Sequence, residues 1–171
     1  MASVTGAQLV IAGTAADLAK VADIDCEKIV CDPNMPADLA SALKSAATAE
    51  LVMIHDSQRP LTGVAQFERV YAALTSDTDA VRPVSPFTET LKSVTADDFI
   101  DQTIDRNSMM RISTPELIRY SAIDFDLQKS TWFVPMKKSA KLATVDADPD
   151  SARINSEKEI ELMSYLLDWN K

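Results

Sequence analysis

An apolar run, Leu51-Val-Met-Ile54, stops abruptly at His55-Asp56 and is followed, after Ser57-Gln58, by Arg59-Pro60. Such a run reads as a buried strand that delivers polar groups to the edge of a sheet. In open α/β sheets that edge, outside the carboxyl ends of the strands, is where ligands bind. The rest of the chain is consistent with this frame. Apolar runs alternate with helical patterns in the manner of βαβ units, which predicts an α/β fold with a mostly parallel, three-layer α/β/α sheet.

Local signals place the elements. Gln8 to Ala12 is expected as the first strand, with Gly13-Thr14 turning into a helix from about Ala15 to Val21 that Thr14 caps. Lys28 to Cys31 follows as a strand. Pro36 to Ala47 carries Leu39, Leu43 and alanines at helical spacing, and Leu51 to His55 is the central strand. In the segment Val64 to Leu74, Val64, Phe67, Val70, Tyr71 and Leu74 recur at three- and four-residue steps, the stripe of a core-facing helix. Leu91 to Val94 and Phe99 to Gln102 flank the turn Thr95-Ala-Asp-Asp98 and predict a projecting hairpin, an arm over about 87–106. Two strands alone bury too little apolar surface to be stable, so the arm should pack on this domain or on a second copy. Thr114-Pro115-Glu116 has a cap, a first-turn proline and a first-turn carboxylate, which predicts a short helix through about Tyr120. Ser156-Glu-Lys-Glu159 is a capping box opening a last helix, whose Ile160, Leu162, Met163, Leu166, Leu167 and Trp169 form a broad apolar face expected to dock on the sheet.

Composition narrows the function classes. With 171 residues, 46% hydrophobic and 25% charged, the chain fits one domain over 1–171. Lys and Arg number 17 against 26 acidic residues, a net charge of -9 that disfavours a nucleic-acid polymer as partner. Met1-Ala-Ser-Val-Thr5 has no basic leader and no apolar run is long enough for a bilayer, so the expectation is a cytoplasmic protein that starts naturally at Met1 and has no membrane partner. Cys26 and Cys31, with one histidine in the chain, support neither a zinc site nor a disulfide framework; both thiols read as inert packing.

Several short motifs recur in one order: the Leu51–Pro60 segment, Glu89-Thr-Leu-Lys92, Thr103-Ile-Asp-Arg-Asn107, Thr114-Pro115, and Val145-Asp-Ala-Asp-Pro149 through Ile154. In that order and spacing the chain resembles the methylerythritol-phosphate cytidylyltransferases of isoprenoid precursor synthesis, from about Gln8 to Leu167. The resemblance implies a nucleotidyltransferase-like, Rossmann-like fold and a homodimer joined through the hairpin arm. It also implies Asp56 beside a nucleotide and its Mg²⁺, with Arg59 following it, and an acceptor-phosphate site of Thr90, Lys92, Arg106 and Arg153, the threonine and Arg106 arriving from the partner's arm. A hard cation suits a carboxylate. From the residues alone, Asp56 reads equally as the cap of an Asx turn, Arg59 as a phosphate ligand or a pin for a nearby carbonyl, Arg106 as a partner for a carboxylate, and His55 as a hydrogen-bonded structural residue rather than a general base.

The departures bear on activity. Members of that family open with a strand, a glycine-rich phosphate-binding turn and a Pro-Lys-Gln motif, and no stretch of this sequence matches them. The chain has Gly6, Gly13 and Gly63, each isolated. A backbone cradle for phosphate needs residues that let the main chain approach the anion, and Gly13 is the one candidate. Asp32-Pro-Asn-Met-Pro-Ala-Asp38 falls where the family reads cytosine with arginine and serine, and Trp132-Phe-Val-Pro-Met-Lys-Lys138 has no counterpart of its Thr-Asp-acidic segment. Arg153 stands in place of a lysine. The expectation is a degenerate, non-catalytic cytidylyltransferase-like protein with a binding, regulatory or interaction role, with no cofactor of its own and a possible protein partner. The alternative is an active nucleotidyltransferase using Mg²⁺, completed by an upstream segment or a partner chain. A third reading is a small-molecule phosphate binder built on Arg59, Arg106 and Arg153.

Overall fold

The computed structural model describes residues 7–46, 49–126 and 134–169. The chain divides into two compact units. One takes in the chain up to Val52 with Ser76–Ala80 and Ile118–Lys141; the other takes in Met53–Thr75, Val81–Leu117 and the chain from Leu142 onward.

In the first unit, β1 (Val10–Gly13) and β2 (Glu27–Val30) pair in parallel, Val10 opposite Glu27 and Gly13 opposite Val30. A parallel pair needs a crossover, and the short helix α1 (Ala15–Ala19) with the turns after it provides one. Thr14 caps α1 as its position suggests, its hydroxyl accepting the Asp17 amide at 3.2 Å. Helix α2 (Pro36–Ala46) buries Leu39, Ala40 and Ala42. The expected last residue of that helix, Ala47, lies outside the described residues, as do Met1–Thr5, Gly6 and the Trp132-Phe133 part of the later segment.

The remaining elements are β3 (Leu51–Ile54), α3 (Val64–Ala72), β4 (Ala80–Pro86), β5 (Leu91–Val94), β6 (Ile100–Ile104), β7 (Met110–Ile112), β8 (Glu116–Arg119), β9 (Leu142–Asp146) and α4 (Glu157–Trp169). A five-stranded sheet runs in the order β3-β8-β4-β7, with β9 also paired to β4. β4 and β7 are antiparallel, Val84 opposite Ile112 and Pro86 opposite Met110. The sheet is mixed rather than mostly parallel: the segment from β4 to β8 holds no crossover α-helix, and β7 returns antiparallel to β4 after the arm.

The largest local correction falls at Thr114-Pro115-Glu116, which starts a strand, β8, and not a helix. The Thr114–Pro115 peptide is cis, and Glu116, Leu117 and Ile118 are fully buried between neighbouring strands. Cap, proline and carboxylate make a helix start only when the following residues leave one face for water, and β8 leaves none. In α3 the buried positions are Gln66 and Val70, while Val64 and Tyr71 are exposed and Leu74 lies past the helix end. The core-facing side is therefore rotated from the predicted stripe. In α4, Ser156 accepts the Glu159 amide at 3.3 Å, the first half of a capping box, but Glu159 reaches back to the Asn155 amide at 2.5 Å. Ile160, Leu162 and Leu167 are exposed, so the apolar face does not dock as expected; nothing is described of the Leu166 and Trp169 side chains.

The arm forms. β5 and β6 are antiparallel, Leu91 opposite Ile104, with a register shift between Lys92 and Val94. Its turn closes through Asp98 at φ 63, a left-handed conformation that aspartate tolerates better than most residues.

Candidate functional site

The strand β3 ends where the sequence says it should, and the polar residues after it form a built turn in the second unit. Asp56 Oδ1 accepts the Gln58 amide at 2.9 Å, an Asx turn, and the Asp56 carbonyl accepts the Arg59 amide at 2.9 Å. The Asp56 amide donates to Thr114 Oγ1 at 3.2 Å, and the same hydroxyl meets His55 Nδ1 at 3.0 Å. His55 packs on Phe67, ring centroids 5.0 Å apart. Burial holds its pKa below the ordinary 6.5, more strongly than the Arg59 carbonyl and Asp56 pull it up. The ring is neutral at pH 7 and has the structural role expected of it.

Arg59 donates to main-chain carbonyls. It is 7% exposed, and its Nη1 donates to the Ser151 carbonyl at 2.6 Å and its Nη2 to the Ile112 carbonyl at 3.3 Å. Desolvation lowers its pKa from the ordinary arginine value, against the pull of Asp56. A guanidinium spent on two main-chain carbonyls below the surface is a strut for the loop after β9.

That loop is tied down at several points, and they position Arg153. The Gln66 side chain, fully buried, donates to the Thr114 carbonyl at 2.7 Å and accepts the Asp148 amide at 2.5 Å. Arg69 pairs with Asp148 at 2.5 Å, Ser151 Oγ donates to the Asp148 carbonyl at 2.6 Å, and the Ile154 amide donates to the Gln58 carbonyl at 2.8 Å. Arg153 is thereby held over the Asp56 turn. Its Nε donates to Asp56 Oδ2 at 2.8 Å, its Nη1 to Asn155 Oδ1 at 2.6 Å and its Nη2 to Gln58 Oε1.

The structure thus joins Asp56, Arg59 and Arg153 in one cluster. The arm candidates have their own local partners: Lys92 donates to Thr103 Oγ1 at 2.6 Å across the hairpin, Arg106 donates to the Thr88 carbonyl, and Thr90 is exposed. Gln58, Gln66, Ser151 and Asn155 hold this cluster in place and were not singled out by sequence reasoning. Amides and hydroxyls carry no periodic signal, and Gln66 stands outside the apolar stripe that drew attention to α3.

In the second unit, Arg82 also pairs with Glu116, whose side chain is fully buried. Burial pushes the Glu116 carboxyl above its ordinary 4.5 while Arg82 draws it down. A Cβ at Gly13 would meet Leu18 at 3.6 Å, an ordinary contact, and the helix end after it carries the Asp17 carboxylate, which Lys20 and Thr14 hold below its usual range. Cys26 and Cys31 are free thiols, and burial raises the pKa of Cys31.

The α/β fold is similar to that of solved nucleotidyltransferases, the 4-diphosphocytidyl-2C-methyl-D-erythritol synthases. The enzyme of that name from Anaerococcus prevotii superposes with a TM-score of 0.72 over 94% of this chain and 78% of its own, at 19% identity. The 2-C-methyl-D-erythritol 4-phosphate cytidylyltransferase of Thermus thermophilus gives 0.70 over 96% and 84%, at 17% identity. At these identities the likeness is one of fold. The family model for 2-C-methyl-D-erythritol 4-phosphate cytidylyltransferase matches residues 6–147, and the chain belongs to that family. Among curated relatives, the bifunctional enzyme IspD/IspF of Rhodospirillum rubrum is 34% identical over 124 residues, 68% of this chain and 32% of that protein. The cytidylyltransferase of Dechloromonas aromatica is 26% identical over 110 residues, 64% and 48% of the two. The chain spans about a fifth to a third of the bifunctional relatives it matches.

Proposed function

We propose that this chain is a degenerate member of the cytidylyltransferase family, a non-catalytic protein with a binding, regulatory or interaction role, assembled as a homodimer through its arm. The observation that carries the reading is the inward commitment of the site's charges: Arg59 is buried on two carbonyls, and Asp56 and Arg153 neutralise each other. Nucleotidyl transfer needs cations aimed at a triphosphate and a backbone that cradles it. Within the 171 residues the glycines are isolated, and the helix that follows Gly13 bears an acidic first turn. A triphosphate brought to Asp56 would meet few uncommitted donors.

Calorimetric titration with CTP and Mg²⁺ tests this directly, with no saturable heat expected and no pyrophosphate formed on adding methylerythritol phosphate. A dissociation constant in the micromolar range, about -8 kcal/mol, would instead support an active nucleotidyltransferase. The dimer reading is supported by the arm's exposed Val94, Phe99 and Ile100, which are 58%, 71% and 71% accessible. Deleting Thr95–Asp98 should shift the mass measured by light scattering toward monomer; an unchanged mass would rule the arm out as the interface.

A further inference from the structure

β3 is expected from its sequence as the central strand, yet it stands at one end of the five-stranded sheet, where among the described residues it pairs only with β8. The main-chain groups on its two sides can be told apart. The Tyr120 amide donates to the Glu50 carbonyl at 2.8 Å, so Glu50 turns its carbonyl toward the end of β8. These groups alternate between the two edges of a strand, so Val52 and Ile54 also face β8, and Leu51 and Met53 turn their N–H and C=O groups the other way. The Asp56 amide keeps the same count, meeting the hydroxyl of Thr114 just before β8.

A bare edge is a template for a further strand unless the sequence guards it with a charge, a proline or a bulge. On the other side of the sheet, where β7 and β9 pair with β4, such guards are present: β7 has the exposed Arg111 at its centre, and β9 ends at the exposed Asp146. β3 has none of them. Leu51, Val52, Met53 and Ile54 are all apolar, and all four are half-buried. A run that is apolar on both faces is the composition of a sheet interior, where each strand has a neighbour on either side.

We propose that the free edge of β3 is a docking site for an extended segment of another polypeptide, uncharged and apolar on both faces, which joins the sheet as a further strand. Main-chain hydrogen bonds to Leu51 and Met53 supply the attraction, and the apolar side chains flanking them select the sequence. A charged strand would have to bury its charges beside these residues and is refused. The site goes beyond the non-catalytic reading and stands whether or not a nucleotide binds.

The test uses the full chain, labelled with ¹⁵N, and a synthetic peptide of alternating valine and isoleucine kept in solution by a terminal polyethylene glycol tail. In the free chain the amides of Leu51 and Met53 should exchange with solvent faster than those of Val52 and Ile54, and the peptide should slow them by roughly tenfold or more. The same peptide N-methylated throughout keeps its side chains but has no donors, and should bind roughly tenfold more weakly or worse, as expected for one or two lost hydrogen bonds. Met53→Pro removes the donor from the free edge, a place where a strand tolerates proline, and should weaken peptide binding by a similar factor at an unchanged melting temperature. Met53→Lys, which adds a guard, should do the same, and Met53→Leu should bind as wild type does. Equal binding of the plain and N-methylated peptides, or undiminished binding by Met53→Lys, would overturn the proposal. Slow exchange of Leu51 and Met53 in the dilute free chain would show the edge already covered and overturn it as well. Protection that grows with chain concentration in the absence of peptide would place a second copy there instead of a different partner.

Discussion

Arg59 and Arg106 are both arginines that a reader of the sequence would offer to a phosphate, and the structure gives them opposite surroundings. Arg59, in the turn after β3, is buried on the carbonyls of Ser151 and Ile112. Arg106, at the foot of the arm, is exposed and bonded to the Thr88 carbonyl. The lesson is that burial decides whether a cation is a ligand or a strut. Arg59 gives two of its donors to main-chain carbonyls and leaves Nε without a partner, while an exposed guanidinium exchanges its donors with water at little cost.

The comparison is broken most severely from below. Arg82→Ala leaves the Glu116 carboxyl buried without its cation, and unfolding by urea should show a loss of roughly 3–5 kcal/mol; a loss well under 1 kcal/mol would mean the pair carries no structural weight. Arg59→Met keeps the bulk but takes a donor from each of two carbonyls, and the same measurement should give a loss of about 2–3 kcal/mol. If instead stability is unchanged and phosphate binding falls, Arg59 is a ligand after all.

The buried side also predicts a pH dependence. His55 has a folded pKa below the ordinary 6.5, so the unfolded chain binds the proton more readily. Its contribution to stability is therefore complete above about pH 6.5 and is lost as pH falls below that value. Melting temperatures of wild type and His55→Gln should converge as pH is lowered from neutrality through this window; parallel curves would contradict the shift. The smallest effect belongs to the arm. Arg106→Ala should cost no more than about 0.5 kcal/mol in stability, and any weakening of phosphate binding on titration would show that the arm arginine serves a ligand.

Much of the fold was legible because its signals are local. β1, α2, β3 and the arm strands start and stop within a few residues of where apolar runs, caps and turn residues place them. The Asx turn at Asp56 and the structural character of His55 could also be read ahead, since both follow from a strand ending in polar residues. Thr114-Pro115-Glu116 misled because the same residues that open a helix also serve a buried strand, once Thr114 turns its hydroxyl to the Asp56 amide and His55 and Glu116 finds Arg82. The stripe on α3 misled because Gln66, a polar residue, occupies a buried position by satisfying both ends of its amide.

By itself the sequence determined where β1, α2, β3 and the arm strands lie, the family and a set of candidate charges, since these depend on spacing along the chain. Only the tertiary structure decided what those charges do. Arg153 and Asp56 are far apart in sequence, and so are Arg59 and Ser151, yet each pair meets in hydrogen-bond contact. Whether a charge faces water or a partner is set by which distant segment folds onto it, and no local pattern encodes that choice.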